Sequence, residues 1–254
     1  MRKIMILAFV ALLVPGCSVK EDRSACPAWL QVSLSAKSIA LAGECPVSVS
    51  AVHGEGIDTL TLTSLSPEGW VKVGRSRLRV DALLRNGAGL TVPWGSECDS
   101  LWAYSKTISL HSDEGRLEVT LHKRFATVWF AFDSEPDYAH SRLTLRSDIA
   151  GTDITRMNPV QGEFRCLLKP SGGKLSVRLP AQRSDSSLEL ECTALDGGGL
   201  LWNWDLGSAL RNAGYDWNAE DLADIRVRVT LMPLSISVET IPWNDGNPGL
   251  KLEI

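Results

Sequence analysis

The chain has 254 residues, 44% of them apolar, with 26 basic and 30 acidic side chains. That is enough for one large or two ordinary domains with real cores. The acidic balance, with no basic run, argues against nucleic acid as a partner, and nothing after residue 16 is long and apolar enough for a membrane-crossing helix of about 20 residues.

Residues 1–16 read as a secretory signal peptide. Arg2 and Lys3 precede an unbroken apolar run from Ile4 to Val14, and Pro15, Gly16 and Cys17 follow. A small residue directly before a cysteine resembles the lipobox of bacterial lipoproteins, which places a lipid on Cys17. Its nucleophilic sulfur can carry a thioether-linked diacylglycerol, and two or more acyl chains anchor stably at about 0.8 kcal/mol per buried CH2. Removing residues 1–16 leaves 24 basic against 30 acidic residues, a charge of −6. Residues 17–28 are short and polar and read as a lipidated tether. Within them Lys20, Glu21 and Asp22 are similar to the charged signal that sends Bacteroidetes lipoproteins to the cell surface; a solvated linker is the other reading.

Apart from Cys17 there are five cysteines, Cys26, Cys45, Cys98, Cys166 and Cys192. An exported chain permits disulfides, but an odd number leaves at least one outside any internal pairing. The spacings do not fix connectivity. No C-x-x-C pair and no histidine at ligand spacing point to zinc. Cys192 falls on the apolar side of a strand and reads as a small buried hydrophobe.

From residue 29 the dominant period is two, the pattern of half-buried strands. Leu30, Val32 and Leu34 alternate with polar residues, as do Val47 and Val49, then Leu60 and Leu62. Glu68-Gly69 and Asn86-Gly87 read as turns before Trp70–Val73 and Leu90–Val92. Leu101–Tyr104 reads as a strand covered on both faces, and Leu117, Val119 and Leu121 alternate again. Lys123-Arg124 marks the expected border. Phe125–Phe132, apolar on both faces, opens a second set as a central strand. Leu143 and Leu145, Phe164–Leu168, Leu175–Leu179, Leu188–Cys192, Ile225–Leu231, and Ile236 with Val238 complete it. One segment breaks the period: Asp205 can N-cap a short helix through Leu206, Ala209, Leu210 and Ala213, closed by Gly214.

Chemistry is nearly absent. There is no G-x-S-x-G elbow, H-E-x-x-H, Walker loop or Rossmann glycine set, and Gly197-Gly198-Gly199 suits a hairpin turn. None of His53, His111, His122 and His140 has an evident Asp or Ser partner in sequence. The expectation is a protein without catalytic residues or cofactor. Trp202 and Trp204 share one strand face. They could form a platform for a sugar ring or pack against the helix that follows, and nearby Leu206 and Leu210 favour packing.

Several segments carry a resemblance. Cys17 to Pro27, Leu121 to Val128, Leu179-Pro180-Ala181-Gln182-Arg183 with Ser187-Leu188, Gly214-Tyr215-Asp216-Trp217 with Asp221-Leu222 and Asp224-Ile225, and Ile236 through Trp243 are together similar to the FimB-type fimbrial anchor lipoproteins of the Bacteroidetes. The resemblance implies an all-β fold of two tandem transthyretin-like antiparallel β-sandwich domains, over 29–123 and 124–254, with the short helix in the second. It implies a non-enzymatic, lipid-anchored minor fimbrial subunit facing out from the outer membrane. Its partners would be fimbrillin-like shaft or minor subunits joined by strand addition. Residues 249–254 alternate and suit either a donated strand or the chain's own last one. The alternative is a surface glycan-binding lipoprotein using Trp202 and Trp204.

Overall fold

Alternation over Ala28, Leu30, Val32 and Leu34 buries all four side chains and builds strand β1, Pro27–Leu34. The computed structural model describes residues 26–54, 56–86, 91–133, 140–169, 175–231 and 234–242. The rest of the first half adds β2 (Val47–His53), β3 (Gly56–Leu62), β4 (Glu68–Gly74), β5 (Arg77–Asn86), β6 (Ser100–Ser109), β7 (Glu114–Val119) and the two-residue β8 (His122–Lys123). Sheet β4-β1-β7 packs on sheet β3-β2-β5-β6-β8. The apolar residues between them run from Ala28 to Leu121, and each fully buried aliphatic side chain contributes about 1.5–3 kcal/mol.

The second half holds β9 (Phe125–Phe132), β10 (Ser141–Asp153), β11 (Asn158–Leu167), β12 (Leu175–Pro180), β13 (Leu188–Ala194), β14 (Leu200–Asp205), β15 (Asp224–Leu231) and β16 (Leu234–Ile241). Sheets β11-β10-β13-β14 and β12-β9-β15-β16 face each other across a separate core from Ala126 to Val229. The fold is therefore all-β and built of two sandwiches, as the resemblance implies. Two pairings depart from the antiparallel expectation: β1 runs parallel to β7, and β9 runs parallel to β15. Each joins strands far apart in sequence, where no hairpin dictates an antiparallel partner.

The described residues hold two helices, one in each sandwich. Helix α1, Ala36–Ala42, lies in the first sandwich, capped by Ser35, whose hydroxyl accepts from the Ser38 amide at 3.3 Å. Gly43 ends it at φ +53°, a conformation that suits glycine. Ser38 is fully buried; its hydroxyl donates to the Val119 carbonyl and accepts from the Leu121 amide. Helix α2, Leu206–Asn212, is capped by Asp205 as expected, and Gly214 follows at φ +75°. Strand β5, which no alternation singled out, is interior to its sheet; Leu78, Val80, Ala82 and Leu84 face the core. It was masked by Arg77, Arg79 and Asp81, of which Asp81 is buried and satisfied by Arg79 at 2.9 Å and Ser105 at 2.6 Å. Trp70 is inside β4 and not after a turn, since β4 begins at Glu68. Leu101 and Ala103 are buried on one face of β6, while Trp102 and Tyr104 on the other are only partly covered.

Candidate assembly site

A two-sheet sandwich has two open sides, each presenting strand edges whose unpaired N–H and C=O groups invite another strand. In the second sandwich the sides differ. One is bounded by β11 and β12, the other by β14 and β16.

The β11/β12 side is closed by residues 91–99, which come from between β5 and β6 of the first sandwich. Ala150 sits where β10 slips register against β11, so its carbonyl is free of that ladder. The amide of Val92 takes it at 2.7 Å. The Gly95 amide then donates to Arg165 of β11 at 2.7 Å, and the Cys98 amide to Arg178 of β12 at 3.0 Å. Glu97 pairs with the Arg178 guanidinium and accepts from its amide. Cys98, within this strap, and Cys166 of β11 are both buried. Burial pushes both thiols up, Cys166 to about 11, so neither is a reactive thiolate at neutral pH. All five described cysteines are free, Cys26 and Cys45 exposed and Cys192 buried in the core.

A polar latch beside this strap joins the two halves. Lys123, 1% exposed, reaches Asp224 at 2.5 Å and the Leu222 carbonyl at 3.3 Å. Asp224 also accepts from the Thr127 amide at 2.6 Å. Asp221 collects Lys37 of α1 at 2.6 Å, His122 at 3.2 Å and the Lys123 amide at 2.8 Å. Burial would raise the Asp221 carboxyl, but those hydrogen bonds outweigh it and hold it well below the usual carboxylate range. Burial lowers Lys123, with Asp224 opposing. Arg124, buried next to it, caps the carbonyls of Ala219 and Met157. The two residues expected to mark the border are thus both buried charges, Lys123 the least exposed among the described residues. His122, without a partner in sequence, finds one 99 residues away.

The β14/β16 side is open among the described residues. Neither strand pairs along its outer edge among the described residues. Helix α2 lies between them and leaves a groove of about 490 Å3, walled by Trp204, Ala209, Ala213 and Val238 and by the polar Asp205, Ser208 and Asn212. Trp202 and Trp204 share the inward face of β14, partly buried against the core. The Trp204 indole N–H is buried at the groove and has no hydrogen-bond partner among the described residues. The β13–β14 hairpin turns through Gly197 and Gly198 at positive φ, as the glycine run suggested, and leaves Leu195, Leu200 and Leu201 exposed.

Cys17, Lys20, Glu21 and Asp22 lie outside the described residues, as do 249–254. No group of three metal-ligating side chains occurs among the described residues. A polar hollow of about 320 Å3 lies over β10 and β11. Two of its carboxylates are engaged, Asp148 by Arg183 and the Ser187 amide, Glu189 by Asn203.

No protein-family model matches the sequence, and no curated protein matches it. Solved structures do. The chain is similar to a candidate polysaccharide-binding protein of Bacteroides thetaiotaomicron, with TM-score 0.60 and 10% identity over 85% of this chain and 98% of that one. It is similar to the fimbrial anchor protein Mfa2 of Porphyromonas gingivalis, with TM-score 0.59 and 12% identity over 86% and 98%. It is also similar to a candidate adhesin of Bacteroides ovatus, with TM-score 0.54 and 9% identity over 80% and 88%. At such identities the shared property is the fold, a two-sandwich architecture of fimbrial and adhesin proteins of the Bacteroidetes.

Proposed function

We propose that a chain with this fold serves as a lipid-anchored minor subunit of a fimbria. Cys17 carries the lipid, residues 17–28 tether it, and modules over 29–123 and 124–254 stand outside the outer membrane. Other fimbrial subunits join it by strand addition at the β14/β16 side of the second module. The observation that carries this reading is the asymmetry of that module's edges. The β11/β12 side is occupied by residues 91–99, while the β14/β16 side offers two edges unpaired among the described residues and a groove of mixed polar and apolar lining between them. Strand addition needs such an edge for backbone hydrogen bonds and such a groove for alternate side chains. The fimbrial anchor with the same fold supports the cellular role. No enzymatic role is proposed.

The test has two parts. Replacing Cys17 (C17S) removes fatty-acid labelling and moves the chain out of the membrane fraction. A photo-crosslinking amino acid at Ser237, exposed on β16, captures a fimbrial subunit in intact cells, whereas the same probe at Arg165, beneath the strap, does not. An unlabelled wild-type chain, or one whose mature N-terminus in the membrane fraction is Ser24 or Ala25, overturns the anchor. Equal capture at both positions, or at neither, overturns the docking side.

A further inference from the structure

We propose that the solvent face of sheet β4-β1-β7 is a binding platform for an extended, neutral polysaccharide, with Trp29 and Trp70 as its aromatic floor. This surface belongs to the first sandwich and is separate from the groove of the second, so the proposal does not rest on the fimbrial reading.

The register fixes the surface. Ala28, Leu30, Val32 and Leu34 of β1 all point into the core, so Trp29, Gln31 and Ser33 point out. Trp29 stands opposite Lys72 of β4 and Glu114 of β7, and Gln31 stands opposite Trp70 and Arg116. Trp29 and Trp70 are therefore diagonal neighbours on one antiparallel pair, about 7–8 Å apart, within reach of a common ligand. They are 48% and 46% exposed. Because β1 is the middle strand, Trp29 is not an edge residue left over from incomplete packing; strands flank it on both sides, and it is nearly half exposed among the described residues. Among the other strand tryptophans, Trp102, Trp202 and Trp204 pack against a core, whereas Trp129 of β9 is half-buried on the face opposite Val128 and Phe130.

Charge selects the occupant. Lys72 and Arg116 are interleaved with Glu68, Glu114 and Glu118, all exposed, a near-balanced pattern slightly acid in excess. Nucleic acid and an anionic bilayer require a basic surface. A close-packed protein interface would have to strip water from five interspersed charges, which costs more than pairing returns unless each meets a partner. A neutral sugar polymer needs neither. Its hydroxyl groups both donate and accept, so they satisfy carboxylates, guanidinium and ammonium alike, while the C–H faces of pyranose rings lie on the indoles. Gln31, already donating to Glu68 at 3.1 Å, keeps its amide oxygen for a hydroxyl donor beside Trp70. The face is a sheet and not a pocket, which suits a chain of sugars over a single buried one.

The test is affinity electrophoresis of the full-length chain through gels containing soluble mixed-linkage β-glucan, xyloglucan, galactomannan or α-mannan, with a glycan array as the wider screen. The expected result is retardation by at least one neutral polymer. In the Trp29→Ala/Trp70→Ala variant affinity falls tenfold or more, while in Trp94→Ala, exposed but off this face, it is unchanged. Circular dichroism and the thermal midpoint confirm that all variants fold, and intrinsic fluorescence follows the wild-type titration. Absence of binding to every neutral glycan, undiminished binding by the double variant, binding only to anionic vesicles, or loss of self-association as the double variant's sole effect would each overturn the platform. Loss of lipid labelling or fimbrial capture would leave it standing.

Discussion

The two open sides of the second sandwich are built from the same kind of strands, yet among the described residues one is sealed and the other is not. On the β11/β12 side the first module contributes residues 91–99, which satisfy backbone groups of β10, β11 and β12. The latch of Lys123, Asp224 and Asp221 fastens the two halves close by. On the β14/β16 side a seven-residue helix bridges part of the gap and leaves a groove with an indole N–H that has no partner among the described residues. Edges are sites of unwanted association, and proteins cover them when they can. A chain that has enlisted its other half to cover one side, while no described residue pairs with the strand edges of the facing side, has its association surface defined by subtraction.

The largest effect that would break this comparison lies in the latch. Asp224→Ala strands the Lys123 ammonium, 1% exposed, without its carboxylate and leaves the Thr127 amide unpaired. Removing one member of a buried pair costs about 3–5 kcal/mol, and denaturant unfolding is the measurement. The double variant Lys123→Met/Asp224→Ala recovers much of that loss, because the uncompensated charge is gone. A loss below about 1 kcal/mol in the single variant would show that the junction is wet and the sealed side is not truly sealed.

Next comes acid. The Asp221 carboxyl is held below its ordinary value in the folded chain, so the unfolded chain binds its proton first. The stability it contributes is complete above the unfolded value near pH 4 and is lost as pH falls further toward the folded value. Wild type should therefore lose stability more steeply below pH 4 than Asp221→Asn, which has no such proton to take up. At neutral pH Asp221→Asn costs about 1.5–3 kcal/mol, the worth of hydrogen bonds to a charged group. Parallel acid limbs for the two proteins would remove Asp221 from the latch.

A smaller effect belongs to the strap itself. The Glu97–Arg178 pair is partly exposed, and Glu97→Gln costs no more than about 1 kcal/mol. Hydrogen exchange reads the comparison more directly. The amides of Val92, Gly95 and Cys98, all bonded to the second sandwich, exchange at least about tenfold more slowly than the outward amides of β16. Equal rates would make the two sides alike.

Much of this architecture is legible in the sequence, and what is not has physical causes. Alternation found β1, β2 and β15, because each buries one face and wets the other, and β13, whose polar slot at Glu191 is buried against Arg146. It missed β5, whose polar positions include a buried, fully bonded aspartate; a carboxylate that finds Arg79 and Ser105 looks solvent-facing in one dimension. It missed α1, although Ser35 and Gly43 stand at its ends as cap and stop. Seven residues are too few for periodicity to outweigh the strands around them. At the candidate site, Asp205, α2 and the Trp202/Trp204 face were readable because they are contiguous. The strap and the latch were not. Lys37 meets Asp221 across 184 positions, and Lys123-Arg124 carries the same letters whether it lies in a solvated linker or a buried joint. The outward turn of Trp29 was hidden for the opposite reason: it occupies a polar slot in the alternation, and period alone does not say that an aromatic there is exposed.

The smallest effect on stability is the most telling about association. Trp204→Phe keeps an aromatic ring against the core and removes an N–H that bonds to nothing among the described residues. A buried donor without a partner is a cost, so its removal leaves the isolated chain within about 1 kcal/mol of wild type, or slightly more stable. An incoming strand changes that balance, because it brings backbone carbonyls to the groove that Trp204 lines. If one of them accepts from the indole, the bond exists only in the complex, and its net worth of about 0.5–1.5 kcal/mol appears as up to roughly tenfold weaker subunit capture by Trp204→Phe. The pairing of unchanged unfolding with weakened capture in the Ser237 crosslinking assay is the result that distinguishes an association groove from an imperfectly packed corner. Capture equal to wild type would assign the groove to packing alone.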